Sequence, residues 1–278
     1  MQRLSTAPAT APSTLVDLLS LRAGEQPDDI LYRFLTDDGA ELCWTYADLL
    51  AHASRVATAL QALGVEGEPV LLLYPTGLEY IAAFFGCLFA GAIAVPAYPP
   101  RPGRSAQRLE TIVRDSGARV ALTTTATGAS LQLNAEKSPL LRTLTCLATD
   151  DLPAAGGLIE RARPLGPETV AFLQYTSGST GEPKGVMVTH GNLLHNLSAI
   201  YESFDLEHGV VAVSWLPIYH DMGLIGGILG PVYGAGSLTL LTPKKFQEQP
   251  LAWLQAISRY GATHVAAPNF AYDWCLRR

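Results

Sequence analysis

Apolar positions along this chain follow two rhythms, a helical repeat of three to four residues and short continuous runs, and the two take turns. Downstream of Thr45, the residues Leu49, Leu50, Ala53, Val56, Ala57, Leu60 and Leu63 fall on one helical stripe, and Gly64 marks its stop. Thr45 with Asp48, and Thr14 with Asp17, have the Ser/Thr-x-x-Asp/Glu spacing that satisfies free amides at a helix start. Between those two helix starts, residues 30–36 and 41–46 flank Asp37-Asp38-Gly39, which predicts a hairpin. Val70-Leu71-Leu72-Leu73-Tyr74 reads as a strand buried on both faces. A helix over 78–90 and a short strand over 92–95 follow it. Three more helix and strand units are predicted, over 104–116 with 119–123, 191–204 with 210–215, and 251–260 with 263–266. Repeated βα alternation with apolar strands predicts an α/β fold of largely parallel sheets covered by helices.

Two uncharged stretches test that reading. Residues 80–100 lack any charged side chain over about the length that spans a bilayer. Gly86, Gly91 and Pro96 interrupt them, and Ala82, Ala83, Ala90, Ala92 and Ala94 dilute their hydrophobicity, so a buried helix and strand are expected and no membrane span. Residues 222–243 are interrupted by six glycines, and the same conclusion follows.

Composition narrows the class. With 278 residues and 48% hydrophobic side chains the chain builds a substantial core. Its 19 basic and 25 acidic residues leave a net charge of −6, which gives no electrostatic reason to expect nucleic-acid binding. Arg101, Arg104 and Arg108 form the densest basic cluster and read as a solvated helix face or as a contact for an acidic partner. Cys43, Cys87, Cys146 and Cys275 are scattered, with neither zinc nor disulfide spacing. Reduced, mostly buried thiols in a cytoplasmic protein are expected. Residues 1–14, rich in Ala, Pro, Ser and Thr, predict a flexible tail ahead of a body over 15–278, and they lack the apolar core of a signal peptide.

The densest chemistry lies in Thr176-Ser177-Gly178-Ser179-Thr180-Gly181-Glu182-Pro183-Lys184-Gly185. Gly178 and Gly181 let backbone amides converge on an anion, four hydroxyls add donors, and Lys184 brings a compact positive charge. A Walker A loop needs Gly-Lys-Ser/Thr at its end and a helix straight after it. Here Pro183 precedes the lysine, Gly185 follows it, and Val186-Met187-Val188-Thr189 reads as a strand. A phosphate grip between two strands is therefore expected.

The run from Leu173 to Gly181, followed by Lys184-Gly185-Val186-Met187-Val188-Thr189-His190-Gly191-Asn192-Leu193, resembles the phosphate-binding motif of the adenylate-forming superfamily, and most closely that of its fatty acyl-AMP ligase branch. Trp44-Thr45-Tyr46-Ala47-Asp48-Leu49, Leu88-Phe89-Ala90-Gly91-Ala92-Ile93-Ala94-Val95-Pro96 and Leu216-Pro217-Ile218-Tyr219-His220-Asp221-Met222-Gly223-Leu224 resemble further core motifs in the same order. Pro96-Ala97-Tyr98-Pro99-Pro100-Arg101-Pro102 and Ala267-Pro268-Asn269-Phe270-Ala271-Tyr272-Asp273 are similar to segments of the ligase branch. The resemblance implies an incomplete N-terminal domain of the adenylate-forming fold. The adenine- and ribose-binding motifs, the hinge and the C-terminal domain with its second catalytic lysine would follow Arg278, so the chain alone is expected not to turn over.

The implied reaction joins a fatty acid carboxylate to the α-phosphate of ATP, with Mg2+ expected beside the nucleotide and an acyl carrier protein as acceptor in the full-length enzyme. Lys184 and His220 are the implied catalytic residues, and Thr176, Ser177, Gly178, Ser179, Thr180, Gly181 and Lys184 the implied phosphate binders. No metal ligand is assigned. Read from the residues alone, His220 is either a structural histidine or, at a strand's carboxyl end in an open α/β sheet, a ligand-site residue. The resemblance places it near the acyl carboxylate, and Asp221 either caps the next helix or polarises it. Trp215, Met222, Gly226, Gly227, Asn269, Phe270 and Tyr272 are acyl-pocket candidates, and Tyr219, Leu224, Ile225 and Ile228 add apolar lining or simply core. His190, His195, His208 and His264 have no metal spacing and read as surface or structural. A sibling acyl-CoA synthetase, a nonribosomal peptide synthetase adenylation domain, and a non-catalytic binding module stand as alternatives.

Overall fold

Thr45 and Asp48 close a reciprocal cap at the start of helix α2 (Tyr46–Ala62): the Asp48 N–H donates to the Thr45 hydroxyl at 3.1 Å, and the Thr45 N–H donates to the Asp48 carboxylate at 2.9 Å. Helix α1 (Leu15–Glu25) starts on Thr14, whose hydroxyl accepts from Asp17 N–H at 3.0 Å. Strands β1 (Ile30–Leu35) and β2 (Glu41–Thr45) form the expected antiparallel hairpin, in which Gly39 takes a positive φ of 94°. The computed structural model describes residues 11–99, 107–129, 138–153, 164–177 and 183–277.

Strand β3 (Pro69–Leu73) leads into helix α3 (Leu78–Ala90), which buries every residue except Glu79 and ends on Gly91 in the left-handed conformation. That burial accounts for the uncharged run, which continues into β4 (Ile93–Ala97). Helix α3 crosses α2 closely at Gly86, where an added Cβ would lie 2.5 Å from the Val56 Cβ. Then come α4 (Gln107–Ser116), β5 (Val120–Thr123), β6 (Thr145–Ala148), β7 (Val170–Ser177), β8 (Pro183–Thr189) and α5 (His190–Ser203). The chain continues through β9 (Val211–Ser214), a π-helix (Met222–Leu229), α6 (Gly230–Tyr233) and β10 (Ser237–Leu241). Helices α7 (Pro243–Glu248), α8 (Leu251–Tyr260) and α9 (Asn269–Leu276) complete it.

Two sheets result. One has the order β2-β1-β10-β9, parallel except for the β1–β2 hairpin. The other has the order β6-β5-β3-β4-β7-β8, parallel except for β8 at its edge. Strand alternation sorts the side chains: Val70 and Leu72 enter a core shared with α1, α2, α3 and the inner face of the first sheet, whereas Leu71 and Leu73 face Leu109, Ile112 and Val113 of α4. A third core, with Trp215, Phe246 and Trp253, lies under α7, α8 and α9. The order is therefore helix, sheet, helices, sheet, helix. In the six-stranded sheet β4 follows β3 on one side and β5 returns to the other, so the topology reverses between the carboxyl ends of β3 and β4.

Five expectations change. Residues 263–266 form no strand, only an isolated bridge of His264 to Ala212, because both strand-like amides there, Thr263 N–H and His264 N–H, converge on the single Val211 carbonyl. The glycine-rich segment after Asp221 winds as a π-helix, and strands β6 and β10 add to the predicted units. Only Cys87 and Cys275 are buried, while Cys43 on β2 and Cys146 on β6 are exposed, since those strands lie at sheet edges. The stripe on α2 is narrower than predicted, with Leu63 exposed beyond its end. Residues 1–10 of the tail predicted over 1–14, Arg101, Arg104 and the predicted helix start at 104–106 lie outside the described residues.

Candidate functional site

Strands β7 and β8 pair antiparallel with Thr176 opposite Lys184 and Tyr175 opposite Gly185, so the lysine-bearing run is a hairpin and not a helix cap. Opposed residues share a sheet face, which sets Gln174, Thr176 and Lys184 on one face and Tyr175 on the other. Thr176 and Lys184 are exposed. Ser177 ends β7 opposite Pro183, and Gly178, Ser179, Thr180 and Gly181 lie outside the described residues.

On the opposite face, the Tyr175 hydroxyl donates to the Asp115 carboxylate of α4 at 2.5 Å, and burial, then that carboxylate, pushes its pKa up. Its ring lies across Gly185, where an added Cβ would sit 2.9 Å from the ring's Cζ. The ring is buried and tethered, so it has little room to yield. Gly185→Ala is expected to lower stability by about 1–3 kcal/mol. A urea denaturation midpoint checks this, and an unchanged midpoint would show that the ring gives way.

The chain leaving β9 runs over the carboxyl ends of the other sheet. Tyr219 donates its hydroxyl to the Tyr74 carbonyl, which follows β3, and stacks obliquely on Tyr98, which follows β4, at 4.4 Å between ring centres. It also meets Tyr80 edge-on at 5.5 Å. The segment is thereby pinned at the topological switch point, where ligands bind in open α/β sheets. His220 follows, exposed, with Nδ1 against the Asp221 carboxylate. Asp221 also accepts from Met222 N–H at 2.7 Å, so it serves both as helix cap and as partner of the imidazole. Gly223 is required here, since a Cβ would fall 2.2 Å from the Pro217 carbonyl oxygen.

Beyond Asp221 opens a cavity of about 810 Å3, within the range of small-molecule sites, bounded by α5, β9, the π-helix and residues 264–266. Residues of α5 line it from Asn192 to Tyr201, which at 1.5 Å per residue is a length of about 14 Å. The Tyr201 hydroxyl donates to the Gly230 carbonyl at 2.8 Å, which ties α5 to the residue that follows the π-helix. Met222, Gly226 and Gly227 line this cavity, and an added Cβ at Gly226 would meet nothing within 4 Å.

The remaining acyl-pocket candidates lie elsewhere. Trp215 stacks on Phe246 at 3.9 Å, and with Phe270 it borders a separate cleft of about 410 Å3 beside Trp274 and Arg277. Tyr272 leans on Trp253, and Asn269 is exposed at the start of α9. The reason is packing: Trp215 belongs to the core formed with Phe246, Trp253 and Ala271, on the sheet face that α8 and α9 cover. Tyr219, Leu224 and Ile228 belong to the central core, and Ile225 lines the large cavity. His190 is buried and accepts the free Leu15 N–H of α1 at 3.2 Å, a structural role.

A family model described as AMP-binding enzyme matches residues 19–278. The chain belongs to the AMP-binding enzyme family. This AMP-binding chain is 41% identical over 271 residues to JamA of Moorena producens, a medium-chain-fatty-acid–acyl-carrier-protein ligase, covering 96% of the chain and 46% of JamA. It superposes on the fatty acid AMP ligase of Legionella pneumophila with a TM-score of 0.88 and 38% identity, over 99% of this chain and 47% of that one. A fatty acyl-adenylate ligase of L. pneumophila, solved with acyl adenylate and pyrophosphate, matches with a TM-score of 0.84 and 39% identity, over 95% and 46% of the two chains. The chain spans about half the length of the relatives it matches. Among the described residues, no three His, Cys, Asp or Glu side chains gather to hold a metal ion, and no helix is long and apolar enough to cross a membrane.

Sequence reasoning overlooked the cavity-facing residues of α5, including Asn196 and Ile200, and it overlooked Gln174, which bonds to the His220 segment. Gln174 sits inside the quoted motif, but nothing local distinguishes it from its neighbours.

Proposed function

We propose that this AMP-binding chain is the front half of a fatty acyl-AMP ligase. A fatty acid carboxylate oxygen attacks the α-phosphorus of ATP, the bond to the bridging oxygen breaks, and acyl-AMP and pyrophosphate form. The observation that carries the reading is the apolar cavity, about 14 Å long by the helix rise, that opens beyond Asp221, next to His220, and runs between α5 and the glycine-bearing π-helix. It has the shape of an alkyl tail with its head at the strand ends.

The reaction brings two anions together, so orientation and charge neutralisation matter more than proton removal. Lys184 and Thr176 face the phosphates, with Ser177, Gly178, Ser179, Thr180 and Gly181 completing the grip. His220, its ring oriented by Asp221, turns Nε2 toward the carboxylate and gates the cavity. Met222, Gly226 and Gly227 border the tail, whereas Trp215, Phe270, Tyr272 and Asn269 support α9 and the smaller cleft. Mg2+ accompanies the ATP, with ligands from outside the described residues. The acyl group passes to an acyl carrier protein, in line with the acceptor in JamA's name. Supply of ATP places the enzyme in the cytoplasm.

The test is pyrophosphate exchange into ATP by a full-length enzyme carrying this chain as its front half. Exchange that depends on added fatty acid is expected. Exchange driven by amino acids instead, or none with any fatty acid, would overturn the reading.

A further inference from the structure

The Gln174 side chain reaches out of β7 and donates its Nε2–H to the Tyr219 carbonyl at 3.3 Å. That carbonyl belongs to the peptide group joining Tyr219 to His220. The N–H of the same peptide group donates to the Pro217 carbonyl at 3.1 Å. The peptide plane is therefore held from both ends, and the plane sets the direction in which the His220 side chain leaves the backbone. Tyr219 itself is immobilised by its bond to Tyr74 and its packing on Tyr80 and Tyr98, so the clamp is anchored to a rigid base.

Gln174 also stands two residues before Thr176, on the face shared with Lys184. One side chain thus ties the strand that carries the phosphate-facing residues to the peptide that carries the histidine, across 45 residues of sequence. Its Oε1 is buried with no hydrogen-bond partner among the described residues, a cost that a residue serving only to fill space would not carry. We infer that Gln174 is a positioning residue that fixes His220 relative to the Thr176–Lys184 pair, acting through the Tyr219–His220 peptide. This inference rests on the ligase reading for what His220 does, but the clamp itself is independent of the substrate.

The test uses Gln174→Met in the full-length enzyme, which keeps the side-chain length and removes the donor. Loss of one neutral hydrogen bond in a positioning role is expected to lower kcat of fatty-acid-dependent exchange about tenfold with KM for ATP nearly constant. In a His220→Ala background the same substitution should cost almost nothing further, because a residue acting through another is not additive with it. Gln174→Glu should regain activity relative to the parent enzyme as pH falls, since a protonated carboxyl again donates to the carbonyl. Hydrogen exchange at the amides of residues 218–224 supplies a readout that needs no activity, and Gln174→Met should speed it by a similar factor. Unchanged amide exchange, or an equal loss of kcat with and without His220, would overturn the inference. A parent enzyme with no acid-dependent exchange would overturn the ligase reading alone, and the amide readout would still decide the clamp.

Discussion

Replacing Lys184 by alanine in the full-length enzyme lowers fatty-acid-dependent exchange of pyrophosphate into ATP on the order of a hundredfold, the expected cost of removing one charged stabiliser of phosphate oxygens in the transition state. The geometry behind this is the hairpin register: Lys184 stands opposite Thr176, on the face toward the His220 segment, at the mouth of the loop between β7 and β8. It is exposed, so its removal leaves no hole in a core, and the variant should melt like the parent. Lys184→Arg should recover only part of the loss, because a planar fork does not occupy the position of a point charge on a shorter head. Exchange kinetics at saturating fatty acid, with a melting curve as control, make the measurement. Parent-like exchange in the alanine variant would remove this lysine from the mechanism.

The second large effect is a change in chain-length preference. At Gly227 an added Cβ would lie 3.7 Å from the Met222 carbonyl and 3.8 Å from the Ser214 hydroxyl, ordinary contacts that the backbone accommodates. The rest of a leucine side chain must then enter the cavity between the π-helix and α5. Gly227→Leu is expected to reduce kcat/KM for long acids by about tenfold or more relative to short ones, since only the distal methylenes compete for that space. Overpacking costs about 1–3 kcal/mol where it occurs, so the melting temperature is measured before the kinetics are read. Equal loss for every chain length in a folded variant would locate the damage at the carboxylate end. No loss for any acid would send the tail along another route.

These experiments also divide what was readable in the chain from what was not. The helix starts at Thr14 and Thr45, the hairpin at Gly39 and the buried α3–β4 unit were all legible, because caps, turns and amphipathic stripes are encoded within a few residues. The strand character of Val186 to Thr189 was enough to exclude a loop capping a helix. Strand β10 was harder. It lies between β1 and β9, and four of its five residues are buried, so it shows no alternation and merges into an uncharged run.

The candidate site was legible as a set of chemical groups but not as an arrangement. Trp215 and Met222 read alike as apolar neighbours of His220, yet one turns to the outer face of the four-stranded sheet and the other to the cavity. Which face a strand residue takes depends on the register of its sheet, and that is settled by pairing with β10, more than twenty residues downstream. The pairing of His190 with Leu15 and of Gln174 with Tyr219 likewise has no local signature. By itself, then, the sequence determined the family, the alternation of helices and strands, and the chemical groups gathered in the candidate site, because these are properties of short segments. The tertiary structure alone decided that the apolar cavity opens beyond Asp221, that three of the seven acyl-pocket candidates line it, and that Gln174 holds the histidine's peptide. Those facts arise where distant strands end side by side, and no period along the chain records which ends will meet.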